Sequence, residues 1–373
     1  MRIPAIPDLG PSETAAVHRV EQLWHELALV ATRPSRWEGQ MRRELEARNA
    51  QQSNAIEGHH VSIDDALAAG AGRAMEAGPV DAAAVAGYRR AMTFALVDSG
   101  PLDLGRLLAV HFMMTEHDPS AWPGRLRPGP IQVSDQRQGV VVYEGPPAAL
   151  VPELMAALIE MLQEDRPDVP ALVRAAMAHF TLVKIHPFRD GNGRCSRALQ
   201  TAVLGRAGIT AAAFLSIEEY LGHHTHEYYA ALTEAGGTHW QPERDATPWV
   251  RFCLRAHYVQ ARLVARDQGE SARLWESTEA LRAASDLPER LGSVLFNAAR
   301  GQRIDNGAYR ETSPEVSPTL ASRDLRAAVD AGLLVAHGSK RGTHYRAGDP
   351  LLAAHRAVAA DRIPIDGDEV FAP

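Results

Sequence analysis

Over the first 265 positions, apolar residues recur at spacings of three and four, the repeat that gathers them on one face of a helix. The spacing predicts helices over Val17–Ala31, Trp37–Glu57, Asp64–Glu76, Val80–Leu96 and Asp103–Met114, divided by short proline and glycine breaks. Gly58 is a good end for the second of these, because glycine accepts the left-handed conformation that closes a helix. After Pro123-Gly124 and Pro128-Gly129-Pro130 the pattern changes. Ile131–Ser134 and Val140–Tyr143 are short β-type runs joined by Asp135–Gly139, which reads as a hairpin with a longer loop. Pro146-Pro147 ends it, and a helix follows with Leu150, Leu154, Leu158 and Met161 on one face.

The next helix runs over Val169–Ile185. Its wide stripe of Leu172, Ala176, Phe180 and Val183, with Val173 and Met177 alongside, predicts a central position. It stops at His186-Pro187, since the residue before a proline is pushed out of the helical region. Another helix starts near Gly193 and turns Leu199, Ala202 and Val203 inward. From about residue 275 the order is different: helices over Leu287–Arg300 and Ser317–Ala331, then Leu333–Ala336, a tight His337–Gly342 stretch and Thr343–Arg346. Ser317-Pro318 makes a good helix start, and helix, helix, hairpin is the order of a winged helix-turn-helix. The expected architecture is mostly α. It has an N-terminal helical region over 1–100, a helical core with one small β-hairpin over 101–265, a winged-helix domain over 275–350 and a tail over 351–373.

Composition narrows the class. With 373 residues, 45% hydrophobic content and 23% charged, the chain is long enough for two or three packed domains and is not globally disordered. A net charge of −7 excludes a surface that coats nucleic acid throughout and leaves room for one basic patch. Two cysteines, Cys195 and Cys253, do not make a disulfide framework. No basic start with an apolar stretch opens the chain, and no apolar run reaches the roughly 18 residues of a membrane helix. The expectation is a soluble, cytoplasmic protein without a membrane partner.

The densest chemistry lies in His186-Pro187-Phe188-Arg189-Asp190-Gly191-Asn192-Gly193-Arg194, followed by Arg197. Two glycines flank an asparagine where a helix begins, so backbone N–H groups can turn toward a ligand at an end that favours anions. Arg194 and Arg197 stand near that same end, where cations oppose the helix dipole unless an anion joins them. Asp190 adds a hard oxygen ligand suited to Mg2+ shared with phosphates. His186 is placed to accept a proton near neutral pH. Together these parts describe transfer of a phosphate-containing group.

The segment resembles the signature of the Fic family, H-x-F-x-D/E-G-N-G-R-x-x-R, which is complete here. The resemblance implies a mostly helical protein adenylyltransferase that moves AMP from ATP to a Ser, Thr or Tyr hydroxyl of a target protein. It implies that His186 takes the hydroxyl proton and that Asp190 holds Mg2+ on the α- and β-phosphates. Asn192 and the backbone near Gly191 and Gly193 would form the anion hole, and Arg194 and Arg197 would bind the β- and γ-phosphates. Phe188 would anchor the loop, and Cys195 would be a bystander. Some relatives remove AMP or use another nucleotide donor, and both stay as alternatives.

Ser53-Asn54-Ala55-Ile56-Glu57-Gly58 resembles the family's inhibitory motif, S/T-x-x-x-E-G/N. Ser53 and Glu57 share a helix face, and Glu57 sits at the negative end of the helix dipole, where a cationic partner would account for it. The resemblance makes Arg197 that partner. The hairpin would be the flap on which a target strand pairs, with Ile131, Gln132 and Val133 as contacts. Tyr228 and Tyr229 match a pair near the adenine in relatives, and core aromatics are the equal alternative. Relatives often carry Asn where this chain has His224. The crowded His223, His224 and His226 read as a solvated turn, and no zinc is assigned. For the C-terminal module a protein-docking or dimerising role is favoured. DNA binding through Ser317, Thr319, Ser322, Arg323, Lys340 and Arg341 is the alternative. A homodimer burying the inhibitory helix is a further alternative.

Overall fold

The computed structural model describes residues 2–31, 37–97, 100–135, 140–209 and 216–372. The protein is mostly helical, and among the described residues its strands form two antiparallel hairpins. In order, the helices of the first two-thirds are α1 (Pro11–Ala31), α2 (Glu38–Ile56), α3 (Ile63–Gly70), α4 (Pro79–Val97) and α5 (Leu104–Thr115). The hairpin β1 (Gln132–Asp135) and β2 (Val140–Glu144) follows, then α6 (Val151–Gln163), α7 (Ala171–Ile185) and α8 (Asn192–Arg206). After these come α9 (Glu218–His223), α10 (Thr225–Gly236) and the long α11 (Thr247–Ala284). The expected hairpin loop at 136–139 lies outside the described residues.

The chain divides into two compact units. One comprises Met1–Val30, Leu45–Arg262 and Asp366–Pro373, and the other Ala31–Glu44 and Leu263–Ile365. In the first unit α7 is the central element: 13 of its 15 residues are buried, far more than one face. It packs on α8 and α6, while α4 lies against α5 and α8. Trp249 of α11, fully buried, donates its indole N–H to the Ala176 carbonyl at 2.8 Å and stacks beside Phe180. A polar indole is tolerated there because its one donor is satisfied.

Three expectations change. The helix expected over Asp64–Glu76 ends at Gly70, because the Asp65 carboxylate accepts the backbone N–H groups of Glu76 (2.5 Å) and Ala77 (3.4 Å) and folds the chain back on the first turn. The boundary expected at 275 falls inside one 38-residue helix, α11, and the division between the two units lies earlier in it, after Arg262. The expected tail is structured: α15 (Asp349–Ala359) starts at Asp349-Pro350 and buries Leu351, and Gly367–Phe371 forms a tight turn with Val370 fully buried. Arg19 donates to the Glu369 carbonyl at 2.9 Å and Arg255 to the Asp368 carboxylate at 2.8 Å, tying that turn into the first unit.

The second unit holds α12 (Gly292–Ala299), α13 (Asn306–Thr312), α14 (Pro318–Asp330), the hairpin β3 (Leu334–His337) and β4 (His344–Ala347), and α15. Asp305 and Ser317 cap α13 and α14 by accepting backbone N–H groups in their first turns. The apolar repeat does not predict the seven-residue α13, since about two turns of helix carry too little of it. Arg300 is buried in this unit and binds Glu44 (2.6 Å) and Asp267 (3.0 Å through each of two nitrogens). Arg300→Met removes the cation from two acidic groups held away from water. The expected cost is about 3–5 kcal/mol of stability, read as a lower urea midpoint for this unit's unfolding.

Candidate active site

The loop between α7 and α8 is shaped by backbone constraints before any chemistry enters. His186 caps α7 in the left-handed region (φ 51°, ψ 58°), and Pro187 prevents the helix from continuing. Its Nδ1 lies 3.0 Å from the Val183 carbonyl, which can only accept, so Nδ1 carries the proton and Nε2 keeps its lone pair. Burial pushes the imidazole down to about 4, against the opposing pull of the Val183 carbonyl and Glu57. The ring is therefore neutral well below the near-neutral range expected from the sequence.

Below it, Phe188 is fully buried and stacks on His111 with ring centres 3.9 Å apart and planes 4° apart. The Asn192 amide closes the loop on itself, accepting the Phe188 N–H and donating to the Phe188 carbonyl, both at 2.9 Å. That side chain thus braces the loop from within. His111 accepts the Gly124 N–H on Nδ1 at 2.9 Å, which leaves Nε2 protonated to hold the Asp190 carbonyl at 3.0 Å. Gly191 needs its glycine: φ is 78°, and a Cβ would stand 3.0 Å from Thr115.

The start of α8 has no side-chain cap, so its first N–H groups are not taken up by one. Two guanidinium groups are buried nearby, Arg194 and Arg197, at 1% and 2% exposure. Arg194 reaches the Asp190 carboxylate at 3.1 Å and leaves its Nε without a partner. Arg197 donates to the Ser53 hydroxyl (2.8 Å), the Ser53 carbonyl (2.8 Å) and the Glu57 carboxylate (2.9 Å), and leaves Nη1 without a partner. Burial opposes the charge on Arg197, and Glu57 outweighs it and holds the group protonated. Buried N–H donors without acceptors are costly, and an anion in the turn would supply them. The structure thus brings Ser53 and Glu57 from the end of α2 onto the arginine near the start of α8. A Glu57 oxygen lies against Gly193, in the space a Cβ would need. Gly58 follows in the left-handed region at φ 87° and ends α2.

Residues 101–204 match the Fic/DOC family. The chain contains a Fic domain. It is 29% identical over 157 residues to a protein adenylyltransferase Fic of Nematostella vectensis, covering 42% of this chain and 33% of that one. To a protein adenylyltransferase Fic of Aedes aegypti it is 46% identical over 78 residues, 21% of this chain and 13% of that one. The match therefore spans a third or less of these relatives' length. A crystal structure of a Fic family protein from Desulfovibrio desulfuricans shares the fold at a TM-score of 0.62 and 24% identity, over 93% of this chain and 98% of that one.

The Fic domain's matched interval contains α5, the hairpin, α6, α7, the loop and most of α8, whereas Ser53 and Glu57 lie before it. In the hairpin, Val133 pairs with Tyr143 and Gln132 with Glu144; Ile131 stands just before β1. Among the described residues β1 pairs only with β2, so its outer edge is open, while Glu144 donates from the far side of β2 to the Thr238 carbonyl at 2.9 Å. The two tyrosines part company. Tyr228 is buried against Trp249 and Phe252 and takes the interior role, and Tyr229 is 45% exposed beside it. His223 and His226 are exposed, and His224 stacks on Tyr220 at 4.0 Å. Among the described residues no group of three His, Cys, Asp or Glu is placed to hold a metal. The Asp190 carboxylate, 53% exposed, is still suited to Mg2+, which keeps several waters and takes one or two carboxylates beside substrate phosphates.

Sequence reasoning missed the supports. His111 could have been found as the polar member of the otherwise apolar face Leu107, His111, Met114. Arg127, and the pair of Tyr143 with Lys184, gave no local signal. Lys184 lies 3.5 Å over the Tyr143 ring and donates to the Gly237 carbonyl at 2.9 Å; burial lowers its ammonium to about 7.

Beneath the site, His179 is fully buried between Gln200 (2.6 Å) and the Tyr228 hydroxyl (3.0 Å), and burial pushes it down to about 3. The unfolded chain, with an ordinary histidine near 6.5, takes up this proton first, so acid favours unfolding. Its stabilisation is complete above pH 6.5 and falls by about 2 kcal/mol by pH 5. Urea midpoints measured between pH 7 and 5 are expected to fall less in His179→Gln than in the unmodified chain.

Proposed function

We propose that the chain is a nucleotidyltransferase that moves AMP from ATP to a Ser, Thr or Tyr hydroxyl of a protein target, restrained by Glu57. One observation carries the reading: two buried guanidinium groups with unpartnered N–H donors converge on an uncapped helix start, beside a neutral imidazole with a free Nε2. That combination binds a polyphosphate and activates an incoming hydroxyl. Relatives named protein adenylyltransferase support the donor and acceptor classes.

In this reading Nε2 of His186 takes the proton as the target oxygen attacks the α-phosphorus, and pyrophosphate leaves with the electron pair of the broken P–O bond. Charge developing on the phosphates meets the N–H groups at the start of α8 and the two arginines, fixed in place before the reaction. Asp190 would hold Mg2+, which when bound neutralises phosphate charge. Target residues would pair along the open edge of β1, so recognition is largely through backbone. Restraint follows from occupancy. The Glu57 carboxylate stands where a γ-phosphate would meet Arg197, and both cannot hold that corner.

The second unit we read as a winged-helix protein-docking module. Its support is the order of α13, α14 and the β3–β4 hairpin, with an isolated antiparallel bridge from Ile304 to Tyr345 of β4. DNA contact is the competing role: Thr319, Ser322 and Arg323 of α14 are exposed, and loss of DNA affinity with added salt would reveal it.

With α-labelled ATP and Mg2+, Glu57→Gly is expected to label itself or added protein about tenfold or more above the unmodified chain. Adding His186→Ala is expected to remove about 10²–10⁴-fold of that signal. A folded Glu57→Gly protein that transfers no label would refute the assignment.

A further inference from the structure

Arg127 is 4% exposed and has no place in the chemistry above, yet its side chain joins three separate stretches of backbone. Its Nε donates to the carbonyl of His186 at 2.8 Å, Nη1 to that of Gly129 at 2.6 Å and Nη2 to that of Pro146 at 2.5 Å. Its own N–H donates to the Pro187 carbonyl at 2.9 Å. Gly129 precedes β1 and Pro146 follows β2, so one guanidinium grips both ends of the hairpin and the backbone of the candidate base. The neck is closed further by the Gly145 N–H on the Ile131 carbonyl at 3.1 Å. It is also tight: a Cβ on Gly145 would stand 3.2 Å from the Arg127 side chain and 3.7 Å from the His186 Cβ.

Every acceptor of this cation is a neutral carbonyl, and burial works against its charge. A group that served packing alone would not need a buried charge, and an aliphatic side chain would avoid the desolvation. What a guanidinium adds is a rigid planar fork that fixes three acceptors at once.

We propose that Arg127 is a positioning residue that sets the distance between the target-bearing edge of β1 and Nε2 of His186. The inference rests on the transfer reaction proposed above. A hydroxyl presented on β1 must arrive within about 3–3.5 Å of its reaction partners, and a displacement of about 1 Å costs on the order of 10²-fold in rate. Arg127 holds docking strand and base in one frame, so the strand's position becomes the hydroxyl's position. Nucleotide phosphates are gripped elsewhere, by α8 and its arginines, and do not depend on this fork.

The test uses the full chain carrying Glu57→Gly, with Arg127→Lys and Arg127→Gln added singly. Lysine keeps the charge and loses the fork. With α-labelled ATP as donor and the chain itself as acceptor, both variants are expected to lower kcat by about 10²-fold while KM for ATP changes less than threefold. The acid limb of the pH profile separates them. His186 is faced by Arg127, Lys184, Glu57 and the Tyr143 ring. Removing the Arg127 charge is expected to shift the limb upward in Arg127→Gln and not in Arg127→Lys. Hydrogen exchange, which needs no activity, is expected to rise together at 131–135, 140–145 and 187–190 in both variants. A raised KM for ATP at unchanged kcat, or exchange that rises in the hairpin alone, would overturn the inference. If Glu57→Gly with Arg127 intact carries no label, the transfer reading fails, and the exchange pattern decides the coupling by itself.

Discussion

Two guanidinium groups buried near the positive end of one helix set the terms for the structure around them. Arg194 and Arg197 give up water at a place where the dipole of α8 adds to the repulsion. The arrangement holds only because negative and polar groups come to them: Asp190 from the loop, Ser53 and Glu57 from the end of α2. The end of α2 gains equally. Its last turn carries carbonyls without helical partners and a carboxylate on the wrong side of the dipole, and one arginine answers both. Two helix ends that are each unfavourable alone become complementary when they meet.

Around this charge problem the Fic domain builds a frame of conventional parts. The buried α7 supplies a fixed base for the loop, and the left-handed His186 turns the chain abruptly out of it. The Phe188–His111 stack and the Asn192 bridge hold the loop's interior, and Gly191 packs against Thr115 and His111. Each contact fixes a ring, an amide or a carbonyl direction, and on the proposed reading this is electrostatic preorganisation, whose advantage is that nothing must rotate when charge appears.

What could be read from the sequence followed covalent neighbourhood. The run from His186 to Arg197 was legible because one turn and the start of one helix bring its residues together whatever the rest of the chain does. The helices α4, α5, α7 and α8 were legible because their apolar repeats are long. The early end of α3 was not, since a single Asp65 carboxylate captures N–H groups eleven and twelve residues away. Nor were Arg127 and Lys184, whose partners are backbone carbonyls, and a carbonyl leaves no mark in a sequence. Nor was the burial of Tyr228, which the sequence left open between a core place and an adenine-side one, and which depends on Trp249 and Phe252 arriving from α11.

The glycine at 193 has an evolutionary corollary. The room left by its missing methyl group admits a Glu57 oxygen, and on the proposed reading the same room admits a phosphate. On that reading a side chain at 193 would release the restraint and evict the substrate together, so loss of the restraint alone would pass through position 57 or its helix, which leaves the lock more expendable than the keyhole.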